Sequence, residues 1–308
     1  MDKKVQYTLE NVYGRKYNTE QWEAQLQNKN GVPFFTFPSL EQFSFIRQGF
    51  STKLGGCSEG DLYAMNLSYS RGDQPERVDE NYRRITNAMG LETRNLVLSD
   101  QVHDTKVKLV TKADCQGDNL RDKKLVGIDG LISNEKEVLL CTSYADCVPL
   151  YFVDPEHEAI GLSHSGWRGT VGKMAAKTLT AMEKAFATNP KQVYVVIGPS
   201  ICQACYEVSQ DVADAFANFV DSNRIALLQA EDSACIQNEI KEVLQEKGKG
   251  KYQLDLWHAN QLICMEAGVP RAQIAVSGVC TCCNHHLLYS HRKTNGKRGN
   301  LAAFLQLQ

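Results

Sequence analysis

A chain of 308 residues with 43% apolar and 23% charged side chains can bury a sizeable core, and its net charge of −2 leaves no cationic excess. Lys and Arg are mixed among Asp and Glu without a basic block, so there is no electrostatic footprint for a nucleic-acid backbone. No apolar run approaches the roughly 20 residues that a membrane-spanning helix needs. The polar start Met1-Asp2-Lys3-Lys4-Val5-Gln6 lacks the apolar stretch of a secretory signal. Eleven cysteines, odd in number and spread through a long chain, read as thiols of a reducing compartment, so the expected location is the cytoplasm.

Residues 1 to about 45 are polar, Gln-rich and without clear periodicity, and are expected to lead into the core as an extension. A helix is predicted over 75–89: Pro75 suits its first position, Val78, Tyr82, Ile85 and Met89 share one face, and Gly90 ends it. Strands are predicted at 95–98, 106–110, 130–132, 138–142, 149–153 and 159–163 from Val, Ile, Leu and Tyr runs with turn-rich boundaries. After a glycine-rich turn a helix is expected at 171–187 and a buried strand at Val193 to Ile197. Helices follow at 209–219, 235–246 and 255–267, then strands near 274–279, 287–291 and 301–305. Neither a regular βαβ repeat nor an all-β pattern results. The fold class is therefore α/β in the broad α+β sense, a layered sandwich of mixed β-sheets flanked by helices in a single domain.

Three residues in separate segments, His103, Cys147 and His164, each stand beside a strand-like run. One thiolate and two imidazoles suit a zinc ion with an open fourth position, as catalytic zinc sites have. Spacing alone is equally compatible with copper or with core packing. The segment His164-Ser165-Gly166-Trp167-Arg168-Gly169-Thr170 combines two glycines, a helix start and a guanidinium, which suits a phosphate or carboxylate. It suits a tight strand-to-helix turn with Trp167 packed inside just as well.

The segments together resemble the laccase-domain, or polyphenol-oxidase-like, family of the YfiH type, a family of purine nucleoside phosphorylases. The likeness runs in order through Phe50-Ser51-Thr52-Lys53-Leu54-Gly55-Gly56, Met65-Asn66-Leu67, Gly72-Asp73, Glu80-Asn81, Gln101-Val102-His103 and Asp129-Gly130. It continues through Ala145-Asp146-Cys147-Val148-Pro149, the His164 segment, Ile197-Gly198-Pro199-Ser200-Ile201, Tyr206-Glu207-Val208, Cys280-Thr281 and Tyr289-Ser290-His291-Arg292. It implies an N-terminal extension at 1–47 and a laccase-domain-like catalytic domain at 48–308, with zinc held by His103, Cys147 and His164. The implied activity is phosphorolysis of adenosine, inosine, guanosine and methylthioadenosine to free base and ribose 1-phosphate, together with adenosine deamination. The implied partners are thus purine nucleosides and phosphate. Two departures stand out: Lys53 occupies a position where the family usually has Arg, and Lys293-Thr294-Asn295 replaces an Arg-Asp-Gly type of stretch.

Charge and motif position make Lys53 and Arg168 anion-binding candidates, Asn66 a ribose or base contact and Arg292 a further substrate contact. Asp146 is a candidate to orient a ligand or carry a proton, although strand alternation would turn it away from Cys147. Other chemistries fit parts of the pattern. Copper oxidation would use the same donors, but a multicopper oxidase needs more imidazoles than seven histidines scattered in this way. A cysteine hydrolase would use Cys147 as nucleophile and His164 as base. Cys202-Gln203-Ala204-Cys205 and Cys280-Thr281-Cys282-Cys283 could form a second, structural metal site or a redox module. A non-enzymatic interaction protein has little in the sequence to favour it. The zinc-deaminase signature His-x-Glu with Pro-Cys-x-x-Cys is absent, so a deaminase here would be built differently.

Overall fold

A computed structural model describes residues 23–122 and 125–308. The first part of the chain forms β1 (Gln25–Lys29), β2 (Val32–Thr36), α1 (Pro38–Glu41), β3 (Ile46–Ser51), α2 (Pro75–Met89), β4 (Leu96–Asp100), β5 (Val107–Leu109) and β6 (Leu125–Val126). The middle part supplies β7 (Gly130–Ser133), β8 (Leu139–Tyr144), β9 (Val148–Asp154), β10 (Ala159–Ser165), α3 (Trp167–Val171), α4 (Met174–Phe186) and β11 (Tyr194–Ile197). Then come β12 (Glu207–Ser209), α5 (Gln210–Ala215), α6 (Ser222–Gln229), α7 (Ser233–Glu242), β13 (Leu244–Gly248) and β14 (Lys251–Leu254). The chain closes with α8 (Leu256–Glu266), β15 (Ile274–Val276), α9 (His291–Thr294) and β16 (Leu301–Leu307).

A seven-stranded sheet runs β1-β2-β3-β16-β8-β4-β6 and a six-stranded sheet β15-β11-β9-β10-β7-β5, while β12-β14-β13 make a small third sheet. Side-chain alternation dictates how these layers stack. On β9, Tyr151 and Val153 face the other large sheet, with Phe50, Leu140, Tyr144 and Leu305 opposite; Val148, Leu150 and Phe152 face α4 and α8. On β16, Leu301, Ala303 and Leu305 face the sandwich interior, whereas Ala302 and Phe304 pack under α2 with Val78, Tyr82 and Ile85. Both faces of these central strands are covered, which is why they read as continuous apolar runs rather than alternating ones. The Tyr151 hydroxyl donates to the Gly49 carbonyl at 2.8 Å and ties the two sheets across the core. The layered α+β sandwich with mixed sheets in a single domain is what the structure shows.

Helix α2 has the expected bounds, with Gly90 at φ 71° closing it in the left-handed conformation that glycine adopts without a Cβ clash. Several expectations need correction. Of the segment expected to be an extension, residues 1–22 lie outside the described residues; from Gln25 on it forms β1, β2 and α1, and Phe35, Phe37 and Leu40 are fully buried. Polar Gln-rich composition hid this because β1 is an edge strand with largely exposed or half-buried residues. No strand forms at 287–291: the amides of Leu287 and Leu288 both bond back to the Asn284 carbonyl, the apolar side chains plug the core, and α9 begins at His291. The helix expected at 171–187 is two pieces broken at Lys173, φ 59°. The expected 235–246 helix stops at Glu242, where β13 takes over, and β3, β6, β12, β14 and α6 were not anticipated. No helix among the described residues is long and apolar enough to cross a membrane.

Candidate metal centre

β8 belongs to the seven-stranded sheet and β9 to the six-stranded one, so residues 145–147 carry the chain across the seam between them. Asp146 makes that crossing at φ 86°, held by the Thr281 hydroxyl at 2.6 Å and the Arg292 amide at 2.7 Å on its carboxylate. Its side chain therefore fastens the crossover and does not orient a ligand of the centre as proposed from the sequence. The turn leaves the Cys147 sulfur facing the ends of β4 and β10. Close approach there depends on Gly166, where a Cβ would stand 3.1 Å from the Cys147 sulfur and 3.2 Å from the His103 ring.

His164 lies near the end of β10 and is buried, its Nδ1 2.9 Å from Asp129. Asp129, itself fully buried, also accepts the backbone amides of Val102 at 3.1 Å, His103 at 3.0 Å and Asp104 at 3.1 Å. One carboxylate thus fixes the His164 ring and the loop after β4 that presents His103 at φ 63°. Burial works to raise the Asp129 pKa, but His164 and the amides outweigh it and hold the carboxyl below its ordinary value. Donating Nδ1–H to Asp129 leaves Nε2 of His164 as the free donor, the usual outer arrangement behind a metal-bound imidazole. The His103 and His164 rings sit edge to face at 4.8 Å, and His103 Nε2 is 3.9 Å from the Cys147 sulfur.

Burial opposes charge on Cys147, yet the His164 charge and hydrogen bonds from His103 and His164 draw the thiol down to about 6. Burial likewise works against His164, while the Cys147 charge and the Asp129 bond carry it up to about 9. Together they form a thiolate–imidazolium pair whose proton a bound cation would replace. The three donor atoms lie within 4.8 Å of one another. A compact trio of two nitrogens and one sulfur, backed by Asp129 and open on one side to a cavity, fits a metal with a vacant position.

That cavity, about 230 Å³, is also lined by Arg71, Arg298, Asn300, Gln101, Ser143 and Tyr144. Arg298 is 8% exposed, and its Nε is buried without a hydrogen-bond partner among the described residues. Burial and the Arg71 charge lower its pKa to about 10. Two arginines among the residues lining one small cavity give it a positive lining that suits an anion. Sequence reasoning missed both, although Arg71 adjoins the quoted Gly72-Asp73 pair and Arg298 falls just past the departing 293–295 stretch. It also gave Asp129 no role despite noting Asp129-Gly130.

The substrate-contact candidates are placed elsewhere. Asn66 is fully buried: its amide nitrogen donates to the Ser68 carbonyl and Asp73, and its oxygen accepts from the amides of Ser68 and Asn300. It is a knot under the loop that bears Asn300, with no polar atom left for ribose. Lys53 donates from Nζ to the His285 carbonyl at 2.6 Å and does not line the cavity. Arg168 lies over the Trp167 ring at 4.4 Å and Arg292 over Tyr206 at 5.3 Å, with an Arg292 bond to the Glu207 carbonyl. Both act on Tyr206 electrostatically, as does Cys147, so they flank the centre outside the cavity lining. Cys202, Cys205, Cys280 and Cys283 come together as a separate group, without Cys282.

Fold and centre define a layered α+β protein with a two-histidine, one-cysteine site on the seam of its sheets. The chain belongs to the family described as multi-copper polyphenol oxidoreductase laccase, whose model matches residues 47–308. Among its relatives, the purine nucleoside phosphorylase YlmD of Bacillus subtilis is 36% identical over 84% of this chain and 88% of its own length. A purine nucleoside phosphorylase of Bacteroides thetaiotaomicron is 34% identical over 88% of this chain and 95% of its own. The crystal structure of the Bacillus licheniformis hypothetical protein YfiH superposes with a TM-score of 0.81 at 28% identity, covering 95% of this chain and all of that one. YlmD of Geobacillus stearothermophilus gives 0.80 at 32% identity, over 92% of this chain and 98% of its own.

Proposed function

We propose that the chain is a zinc-dependent purine nucleoside phosphorylase acting on adenosine, inosine, guanosine and methylthioadenosine, and that it also deaminates adenosine in the same pocket. The observation that carries this reading is the meeting of His103, Cys147 and His164 with the guanidiniums of Arg71 and Arg298 around one cavity. The names of the relatives point the same way. Every lining residue falls between Leu67 and Asn300, which supports 48–308 as the catalytic unit. Eleven free thiols support the cytoplasm as its compartment.

Phosphorolysis forms a bond from a phosphate oxygen to the anomeric carbon as the bond to the purine nitrogen breaks, so the nucleophile must be held as an anion beside the sugar. Arg298, desolvated and with a spare donor, and Arg71 are assigned to hold it. Asp129 keeps the His164 ring in one tautomer, and the buried Tyr144 ring 5.5 Å from it limits its tilt. Zinc held by the trio would supply a Lewis acid at the open side of the site. Arg168 and Arg292 are kept as secondary substrate contacts, whereas the place of Lys53 off the cavity lining and the engaged side-chain polar atoms of Asn66 argue against those two. Two imidazoles at the centre, with His157 on Asp154 and His258 on Glu239, support a single mixed-donor metal over multicopper oxidation.

A second reading rests on the Asp129–His164–Cys147 connectivity, which is that of an orienter, a base and a nucleophile. Chelation separates the two, since it stops a zinc enzyme and spares a thiol hydrolase. The main test is purified zinc-loaded protein with adenosine, with and without phosphate. Adenine and ribose 1-phosphate only when phosphate is present is the expected phosphorylase result, and inosine in both cases the expected deaminase result. No turnover of any of the four nucleosides would overturn the proposal.

A further inference from the structure

β11 and β15 are neighbouring parallel strands, with Ile197 opposite Val276. Past their ends the two chains keep running side by side. The Ser277 amide reaches the Ile197 carbonyl at 2.8 Å, Ser200 reaches Val279 at 3.1 Å, and Thr281 reaches Ser200 at 3.1 Å. Each chain then enters a Cys-x-x-Cys turn, Cys202 to Cys205 on one and Cys280 to Cys283 on the other. Parallel pairing therefore delivers two such turns to one place although 74 residues separate Cys205 from Cys280.

The four sulfurs lie within 4.8 Å of one another, with Cys205 and Cys283 at 3.5 Å. A tetrahedron of thiolates about 2.3 Å from zinc has S–S edges of about 3.8 Å, inside that range. A disulfide would need sulfurs at about 2.05 Å. Backbone amides are already turned on one sulfur: Cys280 accepts from the Cys202 amide at 3.3 Å and the Cys283 amide at 3.4 Å. Such donors stabilise a thiolate, and the Lys293 charge acts on Cys283 from outside. Cys202 and Cys280 are buried, Cys205 is half-buried and Cys283 is exposed.

We propose that Cys202, Cys205, Cys280 and Cys283 bind a second zinc ion in a closed four-thiolate site that clips the loops after β11 and β15 together. Binding takes four thiolates, so a neutral four-thiol group releases four protons to solvent and leaves a zinc–thiolate unit of charge −2. The ion is structural, since four sulfurs leave no open position. Its effect reaches the catalytic pocket through the residues it encloses. Thr281, inside one turn, holds Asp146 next to Cys147, and Tyr206, directly after the other, carries Arg292.

The test is metal counting on the full chain purified under reductant with zinc present, by native mass spectrometry and elemental analysis. The expected result is two zinc ions per chain in the wild type, one in His164→Ala and one in the double variant Cys205→Ser/Cys283→Ser. Cobalt exchange gives a readout independent of activity, and in the wild type it needs no substitution at the four cysteines. Intense sulfur-to-cobalt charge transfer from four thiolates is expected in the wild type and in His164→Ala, and its loss in the double variant. A single zinc per chain in the wild type that is lost in His164→Ala and kept in the double variant would overturn the proposal. So would a native chain lighter by the two hydrogens of a Cys205–Cys283 disulfide, or alkylation of all four thiols in the metal-loaded protein. Failure of the phosphorylase reading would leave the four-thiolate cobalt band in place, whereas failure here would remove that band and leave nucleoside turnover unchanged.

Discussion

The His103–Cys147–His164 centre and the four-cysteine group both lie at strand ends, and the Thr281–Asp146 hydrogen bond links their neighbourhoods. Their surroundings differ in two respects. Behind the first stands a buried carboxylate, Asp129, and in front of it a cavity with two guanidiniums; behind the second stand backbone amides, and its four donors fill a coordination shell. Mixed donors with an oriented ring and an open side suit chemistry, whereas four like donors at the crossing of two loops suit a clip. Donor number and what faces the vacant direction, rather than the mere presence of cysteine, separate the two.

The largest effect should come from the open centre. Cys147→Ala or His164→Ala removes a donor there, so zinc at this site is lost and phosphorolysis falls by about a thousandfold, several kcal/mol of transition-state stabilisation. Near-normal turnover by either variant would erase the distinction between the two regions. Next comes Arg298→Met. Loss of a charged hydrogen bond worth about 1.5–3 kcal/mol should raise the phosphate KM by about ten- to a hundredfold while adenosine deamination changes little. Equal losses in both reactions would mark Arg298 as a packing residue.

Asp129→Asn keeps the shape and removes the charge behind His164, and should weaken metal binding at that centre by about 10–100-fold in competition with a chelator. It also predicts a pH effect. The Asp129 pKa is depressed in the fold, so its contribution to stability is full above the ordinary carboxylate value of about 4 and is lost as pH falls through the lower folded value. Acid denaturation of the metal-free proteins should therefore show a steeper loss below about pH 4 in the wild type than in Asp129→Asn. Superimposable acid limbs would contradict the Asp129 assignment. The smallest effect is expected from Gly166→Ala, whose added methyl presses on the Cys147 sulfur and the His103 ring. Roughly 1 kcal/mol of crowding, about fivefold in metal affinity, is the expected size, read by chelator titration.

Helix α2 and the long central strands were legible because caps and apolar runs are local signals, and their burial on both faces repeated in the sequence. The metal trio was legible only as three motif segments in order. Arg71 and Arg298 were not, since neither stands in a pattern that marks it: Arg298 matters because the fold buries it in the lining of the cavity. Asn66 shows the converse. Its motif position suggested a ligand contact, but neighbours brought close by folding consume its hydrogen-bonding capacity. Leu287 to His291 has strand composition and becomes a turn, because tertiary burial of its apolar residues outweighs a weak local preference.

By itself the sequence determined the layered α+β class and the family, both carried by residue type and order along the chain, and it put forward the three residues His103, Cys147 and His164 that the fold brings together. Tertiary structure alone decided that Asp129 serves two histidine segments at once, that two arginines rather than Lys53 face the cavity, and that two distant Cys-x-x-Cys turns share one place. The physical reason is that donors and charges act over a few ångströms, and only strand pairing and the crossing between sheets bring residues so far apart in the chain within that distance.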